Sequence, residues 1–88
     1  MYFVYMIKNE SGDLYIGITE NLNNRLNYHN SNKGAEFTKR KSKFKIVFSE
    51  QYETLTQARK REIQLKKWSR IKKEFLIEKF SKGLVTKI

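Results

Sequence analysis

The chain has 88 residues, of which 39% are hydrophobic and 14% aromatic, so it has the length of one small domain and enough apolar side chains for a core. Its 19 lysines and arginines outnumber nine acidic residues, and the resulting formal net charge of +10 favours a polyanionic partner such as nucleic acid. The absence of cysteine excludes disulfides and thiolate metal sites.

The N-terminal segment has a short apolar run, but it lacks the basic region and the small-residue cleavage site of a signal peptide. No stretch approaches the roughly 18 apolar residues of a membrane-spanning helix. These features predict a single cytoplasmic domain over residues 1–88 that does not bind a membrane.

Two strand-like runs, residues 2–8 and 13–18, predict a β-hairpin at the start of the chain. The three-residue connection, 10–12, ends in glycine, which suits a type I turn followed by a left-handed residue. The register that this turn imposes gathers apolar side chains on one face, namely Val4, Met6, Leu14, Ile16 and Ile18.

The opposite face of the hairpin carries two tyrosines. The predicted register pairs Ile7 with Tyr15 and Tyr5 with Gly17, so the two tyrosines are diagonal neighbours within reach of each other. Gly17 has no side chain, and the space above it is predicted to admit a ligand or another stretch of backbone.

A helix is predicted to follow, capped by Thr19 or Asn21 and running to about Asn30. Arg25 and His29 lie four residues apart in it and share one stripe with Leu22 and Leu26. Arginine offers a planar fork for phosphate oxygens, and histidine can relay a proton near neutral pH. The alternative is structural: the arginine covers the core with its stem and the histidine bonds to backbone.

The middle of the chain contains a predicted loop, 30–36, and a basic segment, 38–43. A third strand is predicted over residues 44–52, with Phe44, Ile46 and Phe48 on one face.

Two helices are predicted in the last third of the chain. Thr54 and Gln57 form a capping box that opens a helix to about Trp68, and Ser69 caps another helix that ends before Gly83. The complete order is ββαβαα. The predicted fold class is therefore α+β, an α/β sandwich in which a small three-stranded antiparallel sheet is flanked by helices.

Glu62 is the only acidic residue in the 15-residue stretch from Arg59 to Lys73, which has eight basic side chains. A helical projection places it on the core-facing stripe with Leu55, Ala58 and Leu65. A carboxylate there must be paired, hydrogen-bonded or bound to a cation. Two interpretations remain open: an ion pair with a flanking arginine or Lys66, and a ligand for Mg²⁺, which often takes only one or two protein carboxylates.

Two basic blocks, KRKSKFK and KKWSRIKK, are predicted to follow a nucleic-acid backbone by shape and phosphate contacts, because neither has a pattern that reads bases. Trp68 in the second block could stack on a base, but a core position at the helix junction is favoured. The residues predicted to contact DNA are Lys39, Arg40, Lys41, Lys43, Arg61, Lys66, Lys67 and Arg70.

Tyr5 and Tyr15 have a second interpretation besides packing. A free tyrosine has a pKa of about 10, which is too high for a base at neutral pH. A nearby Mg²⁺ and several basic groups would stabilise the phenolate and lower that pKa. The tyrosines can therefore act as proton acceptors only if a metal and Arg25 lie close to them.

Taken together, these residues resemble the GIY-YIG endonuclease family, and the resemblance covers the whole chain. Tyr15-Ile16-Gly17 is the second signature triplet intact, and Phe3-Val4-Tyr5 aligns with the first triplet and keeps its tyrosine. The helix with Arg25 and His29, the KGAEFT loop and the RE-x-Q-x-KKWSR-x-KKE segment are similar to the small single-domain branch of the family. That branch is related to the incision module of excision-repair nucleases and to structure-specific junction nucleases.

The resemblance implies a role for each site residue. Glu62 matches the metal-binding glutamate, and Arg25 matches the arginine that holds the cleaved phosphate. Tyr5 and Tyr15 match the family's two tyrosines, one of which activates or orients the attacking water, and His29 matches a position held by His or Tyr and implicated in proton relay or phosphate contact. One divalent ion, Mg²⁺ or Mn²⁺, is the implied cofactor.

The resulting hypothesis is a metal-dependent DNA endonuclease that hydrolyses phosphodiester bonds, acting on branched or damaged DNA in repair or recombination. A partner protein is one source of targeting, since no separate targeting domain is visible. The alternative is a non-catalytic basic module that binds nucleic acid and keeps the nuclease fold. A third hypothesis is a basic protein associated with RNA or the ribosome.

Overall fold

In the computed structural model, which describes residues 1–30 and 43–87, the strands and helices follow the predicted order ββαβαα. The sheet is antiparallel throughout, in the order β2-β1-β3, so the predicted α+β class is confirmed. Its strands are β1 (Tyr2–Lys8), β2 (Leu14–Thr19) and β3 (Lys45–Tyr52). The helices are α1 (Leu22–Asn30), α2 (Leu55–Lys66) and α3 (Arg70–Ser81).

The hairpin has the predicted turn and the predicted register. Gly12 has a φ of 86°, in the left-handed region that side chains disfavour, and the Asn9 N–H donates to the Asp13 carbonyl at 3.2 Å. The strand pairs include Tyr5 with Gly17 and Ile7 with Tyr15, both as predicted.

Each face of the sheet has its own apolar core. On one face, sheet residues pack against α2 and α3 in a cluster of Val4, Met6, Ile16, Phe48, Ala58, Leu65 and Leu76. On the other face, the sheet packs against α1 in a cluster of Tyr5, Ile7 and Phe44, joined by Leu22, Leu26 and Ile46. The sheet is therefore the middle of three layers, and Tyr5 belongs to the α1 side.

The prediction that Phe44, Ile46 and Phe48 share one face is wrong. Met6 pairs with Phe48 whereas Ile7 pairs with Ile46, so β3 has one extra residue, Val47, at this point. Such a bulge interrupts the alternation of side chains along a strand. As a result, Phe48 lies in the core with α2 and α3, while Phe44 and Ile46 lie in the core with α1.

The predicted helix caps are present. Asn21 caps α1, because its Oδ1 accepts from the Asn24 N–H at 3.0 Å. Thr54 and Gln57 form the reciprocal capping box at the start of α2, and the Ser69 side chain caps α3. These local bonds set where α2 begins, and so they set which of its residues face the sheet.

The ends of the last two helices lie close to their predicted positions. Helix α2 ends at Lys66, two residues before the predicted end, and Gly83 follows α3 with a φ of 73°. Across residues 1–30 and 43–87, no helix combines the length and the apolar composition that crossing a membrane requires.

Candidate active site

The site is built around the contact between β1 and β2 at Gly17. A Cβ atom at position 17 would lie 2.7 Å from the Tyr5 hydroxyl and 3.1 Å from Cε1 of Tyr15. The prediction that this space admits a ligand or backbone is therefore corrected, because the Tyr5 phenol fills it. Gly17 is needed for this close approach and not for an unusual backbone conformation.

Helix α1 brings His29 to the two tyrosines. The His29 Nε2 lies 3.3 Å from the Tyr5 hydroxyl, and the imidazole centroid lies 4.8 Å from that of the Tyr15 ring. His29 is buried and Tyr15 is 42% exposed. The side chains thus form a layered cluster in which Tyr5 and His29 are covered and Tyr15 faces solvent. The structural interpretation predicted a hydrogen bond from His29 to the backbone, whereas His29 bonds to the Tyr5 hydroxyl.

Burial, together with the charges around this cluster, shifts two pKa values. Burial raises the pKa of Tyr5 to about 12, Tyr15 and Glu62 add to the increase, and Arg25 opposes it. Burial also lowers the pKa of His29, and the positive charge of Arg25 lowers it further. His29 is consequently neutral at pH 7, and with the proton on Nδ1 its Nε2 accepts a hydrogen bond from the Tyr5 hydroxyl.

Arg25 lies on the exposed side of α1, one turn before Tyr28 and His29. Its guanidinium carbon is 5.9 Å from the centroid of the Tyr28 ring, a distance at which the cation is attracted to the face of the ring. Arg25 is thus exposed as a residue, and its charge is close enough to act on both Tyr5 and His29.

Glu62, on α2, acts on Tyr5 through its charge. Its side chain is only 16% exposed, and one of its oxygens lies 3.2 Å from Lys66 Nζ. The ion pair with Lys66 is one of the two predicted interpretations. Lys66 is 56% exposed, however, and such a surface pair contributes little, so it leaves the carboxylate available to another cation.

The donor set suits magnesium better than a metal that needs many protein ligands. In the described ranges, no three His, Cys, Asp or Glu side chains are grouped to hold a metal ion. Mg²⁺ keeps several of its waters and binds through one or two carboxylates. The single, half-buried Glu62 carboxylate fits that requirement.

The residues predicted to contact DNA fall into three groups. Lys43, Lys66, Lys67 and Arg70 are exposed, although Arg70 also donates to Glu74 at 2.8 Å. Lys39, Arg40 and Lys41 lie outside the described residues. Arg61 forms a group of its own.

Arg61 is buried, contrary to its predicted role. It is 8% exposed and its guanidinium donates to both carboxylate oxygens of Glu50, at 2.9 and 3.1 Å. It also donates to Gln64 Oε1 and the Thr86 carbonyl, each at 2.9 Å. With its donors used inside the protein, Arg61 cannot contact DNA in this conformation. An acid at position 50, two residues after Phe48 in an apolar strand, was the sequence signal for a buried partner.

Trp68 packs at the edge of the core with α2 and α3, as the favoured interpretation predicted. The Arg61 guanidinium carbon lies 5.3 Å and Lys72 Nζ 4.5 Å from the centre of its ring. These contacts make Trp68 a junction residue and not a stacking platform for bases.

One basic residue of this region was not predicted. A groove of about 760 Å³ is lined by both Arg25 and Arg59. Arg59 precedes Glu62 by three residues, so both lie on one side of α2, and this spacing was the signal that could have found it.

An α+β domain of this order, in which Tyr5, Tyr15 and His29 are in contact and the charges of Arg25 and Glu62 act on Tyr5, has the fold and the residue types of a nuclease family. The chain belongs to the GIY-YIG catalytic domain family, whose signature matches residues 1–74.

Several relatives match most of this chain. UPF0213 proteins of Staphylococcus aureus strains Mu3 and Mu50 are 40% identical over 77 residues, which cover 88% of this chain and 94% of each relative. The solution NMR structure of the UPF0213 protein BH0048 from Bacillus halodurans is 32% identical, with a TM-score of 0.57. That match covers 89% of this chain and 84% of the solved chain.

Proposed function

We propose that this protein is a metal-dependent DNA endonuclease of the cytoplasm, acting on branched or damaged DNA in repair or recombination. The observation that carries the proposal is the contact of Tyr5 and Tyr15 with His29, within electrostatic range of Arg25 and Glu62. Membership of the GIY-YIG family supports a phosphodiester bond as the target.

In this proposal Glu62 holds one Mg²⁺ or Mn²⁺ ion. When bound, the ion supplies positive charge to the cleaved phosphate and to the departing 3′ oxygen. Arg25 binds a non-bridging oxygen of the same phosphate, because the residue is exposed and its guanidinium is planar and always charged. Together they neutralise the charge that develops on the phosphate during in-line attack.

The two tyrosines have different parts in the proposal. Tyr15 is exposed, so its hydroxyl can contact and orient the attacking water. Tyr5 is buried and hydrogen-bonded to His29, which keeps both rings in place beside Tyr15. To take the proton of that water, Tyr15 would react as its phenolate, the form that a bound cation and Arg25 would favour, and contact with Tyr5 and His29 holds its ring in place.

Exposed basic residues hold the rest of the DNA backbone. Those in the described part of the chain are Lys43, Lys66, Lys67 and Arg70, and the prediction for Lys39, Arg40 and Lys41 stands as part of this proposal. Contacts of this kind bind phosphates without reading bases, so we expect the choice of substrate to come from DNA shape or from a partner protein.

A Glu62→Gln variant tests the proposal. Glutamine has the same shape but no charge, so Mg²⁺-dependent nicking should fall by about 10²–10³-fold while DNA affinity is kept or slightly raised. Nicking and binding are measured on linear, flap, splayed and four-way substrates. Glu78→Gln is the matched control, because Glu78 is exposed on α3 and pairs with Lys82 at 3.0 Å.

Cleavage that is unchanged in Glu62→Gln, or that persists in excess EDTA, would contradict the assignment of Glu62. Salt-dependent binding without turnover on any of these substrates would instead support a non-catalytic module that binds nucleic acid. Competition between duplex DNA and structured RNA separates that result from an RNA-associated role.

A further inference from the structure

The groove at Arg25 extends away from the proposed cleavage centre. It is lined by the end of β2, the first turns of α1 and the beginning of α2, including Asn24, Arg25, Tyr28 and Arg59. Its volume of about 760 Å³ is within the range of small-molecule sites. Tyr5, Tyr15, His29 and Glu62 are not among its lining residues, so the groove adjoins the centre and shares only Arg25 with it.

The described arginines divide into two pairs. Arg61 and Arg70 donate to the carboxylates of Glu50 and Glu74. Arg25 and Arg59 make no ion pair with any residue of 1–30 or 43–87, and both line the groove. Guanidinium groups without carboxylate partners keep their forked donors for phosphate oxygens.

The geometry of α2 relates Arg59 to the proposed metal ligand. Arg59 and Glu62 are three residues apart, so their Cβ atoms are about 5–6 Å from each other on one side of the helix. A strand whose cleaved phosphate lies between Arg25 and Glu62 therefore reaches Arg59 within one helical turn. Glu20 also lines the groove and is the one acidic residue among its described lining residues, against two guanidinium groups.

We propose that this groove is a second phosphate-binding site, in which Arg59 binds the phosphate next to the cleaved one on the same DNA strand. The proposal rests on the proposed function, since it takes the cleaved phosphate to lie at Arg25. The occupied groove fixes the path of the strand through the centre. Glu20 limits the affinity by repelling the same phosphate.

An Arg59→Ala variant tests the proposal by binding alone, in EDTA, so that catalysis is not needed. Loss of a charged hydrogen bond to phosphate should weaken binding of a fluorescent oligonucleotide duplex about tenfold. The slope of log affinity against log salt should fall by about one unit. Lys60→Ala is the matched control: it removes the same charge from the next residue of α2, which does not line the groove.

We expect Lys60→Ala to weaken binding less than about threefold, because a charge that contacts no phosphate acts only through long-range attraction that salt screens. Equal losses in the two variants would overturn the proposal, because they would show that only the overall charge matters. Melting temperatures of both variants verify that each one folds.

A Glu20→Gln variant gives a test of opposite sign. Removing the acid from the groove should strengthen binding in EDTA, and unchanged or weaker binding would contradict the proposal. These results are separable from the proposed function. If the wild-type protein binds DNA but never cleaves it, the endonuclease assignment fails, while the difference between Arg59→Ala and Lys60→Ala still decides the groove.

Discussion

Gly17 and Tyr5 depend on each other, because the phenol occupies the space that any side chain at position 17 would need. The nearest atom to a Cβ at that position is the Tyr5 hydroxyl, at 2.7 Å, and the next is its Cζ, at 2.9 Å. Tyr5 is almost fully buried and bonded to His29, so it has little freedom to move away. The glycine of the second signature triplet therefore has a packing role in this chain.

We expect Gly17→Ala to destabilise the protein by about 1–3 kcal/mol, as overpacked cores do. It should also reduce cleavage, because a displaced Tyr5 loses its bond to His29. Urea denaturation measures the first effect. In the double variant Gly17→Ala with Tyr5→Phe, the closest contact is gone, so the two free-energy changes should be less than additive. Wild-type stability in Gly17→Ala would show that Tyr5 moves aside freely.

The raised pKa of Tyr5 predicts how stability depends on alkaline pH. The folded protein keeps this proton up to a pH of about 12, whereas the unfolded chain releases it near a pH of about 10. The stabilising effect is therefore complete below about pH 10 and is lost as the pH rises towards 12. Tyr52 has the same shift, so Tyr5→Phe and Tyr52→Phe should each remove part of the loss of stability.

Magnesium should change the titration of Tyr5 if Glu62 holds the ion close to it. A bound cation favours the phenolate, so tyrosinate absorbance, followed only at pH values that keep Mg²⁺ dissolved, should rise when Mg²⁺ is added. The change should be absent in Tyr5→Phe and in Glu62→Gln. An identical titration with and without Mg²⁺ would contradict a metal at this position.

Helix α2 is tied to β3 by the buried fork between Arg61 and Glu50, and Tyr52 adds a hydroxyl that donates to Glu50 at 2.8 Å. The fork lies on the side of α2 that packs on the sheet, next to Glu62 in the sequence. It therefore helps to set the rotation of α2, and with it the direction of the proposed metal ligand.

Breaking this fork should be costly, because one charge is left buried and unpaired. We expect Arg61→Met to destabilise the protein by about 3–5 kcal/mol, and Arg61→Met with Glu50→Leu to recover much of that loss. Arg70→Met is the control, since the exposed pair with Glu74 should contribute no more than about 1 kcal/mol. If the two core substitutions change the free energy of unfolding in urea additively, Arg61 and Glu50 are not energetically coupled.

The protein as a whole has a strong excess of positive charge for its size. A formal charge of +10 on 88 residues attracts DNA, but it also repels itself in the folded state. The Debye length is about 30 Å at 0.01 M salt and about 10 Å at 0.1 M, so salt screens this repulsion across a small domain.

Added NaCl should therefore raise the melting temperature while it weakens DNA binding. The buried pair of Arg61 and Glu50 is screened little, so it does not oppose the stabilisation. Thermal unfolding followed by circular dichroism, with binding measured in the same buffers, checks both directions. A melting temperature that falls with salt would show that exposed ion pairs outweigh the net repulsion.

The hairpin register and the helix caps could be predicted because their signals are local. A residue with positive φ is required after the type I turn, and glycine at position 12 meets that requirement. Thr54 and Gln57 form a capping box within four residues. The bulge at Val47 gave no local signal, since it exists only relative to the partner strand. For the same reason, the pattern of β3 predicted one apolar face where the structure has two.

The order of residue types was enough to predict the fold class, while the choice of Tyr5, Tyr15, Arg25, His29 and Glu62 as one catalytic group came from the family resemblance and stays a prediction. Only the folded structure determines which arginines can bind a phosphate. Arg61 pairs with Glu50, a carboxylate distant in the chain, whereas Arg59 has no such partner among the described residues. Helical periodicity places a side chain on a face of its own helix. Only the packing of that helix against β3 determines what the face meets.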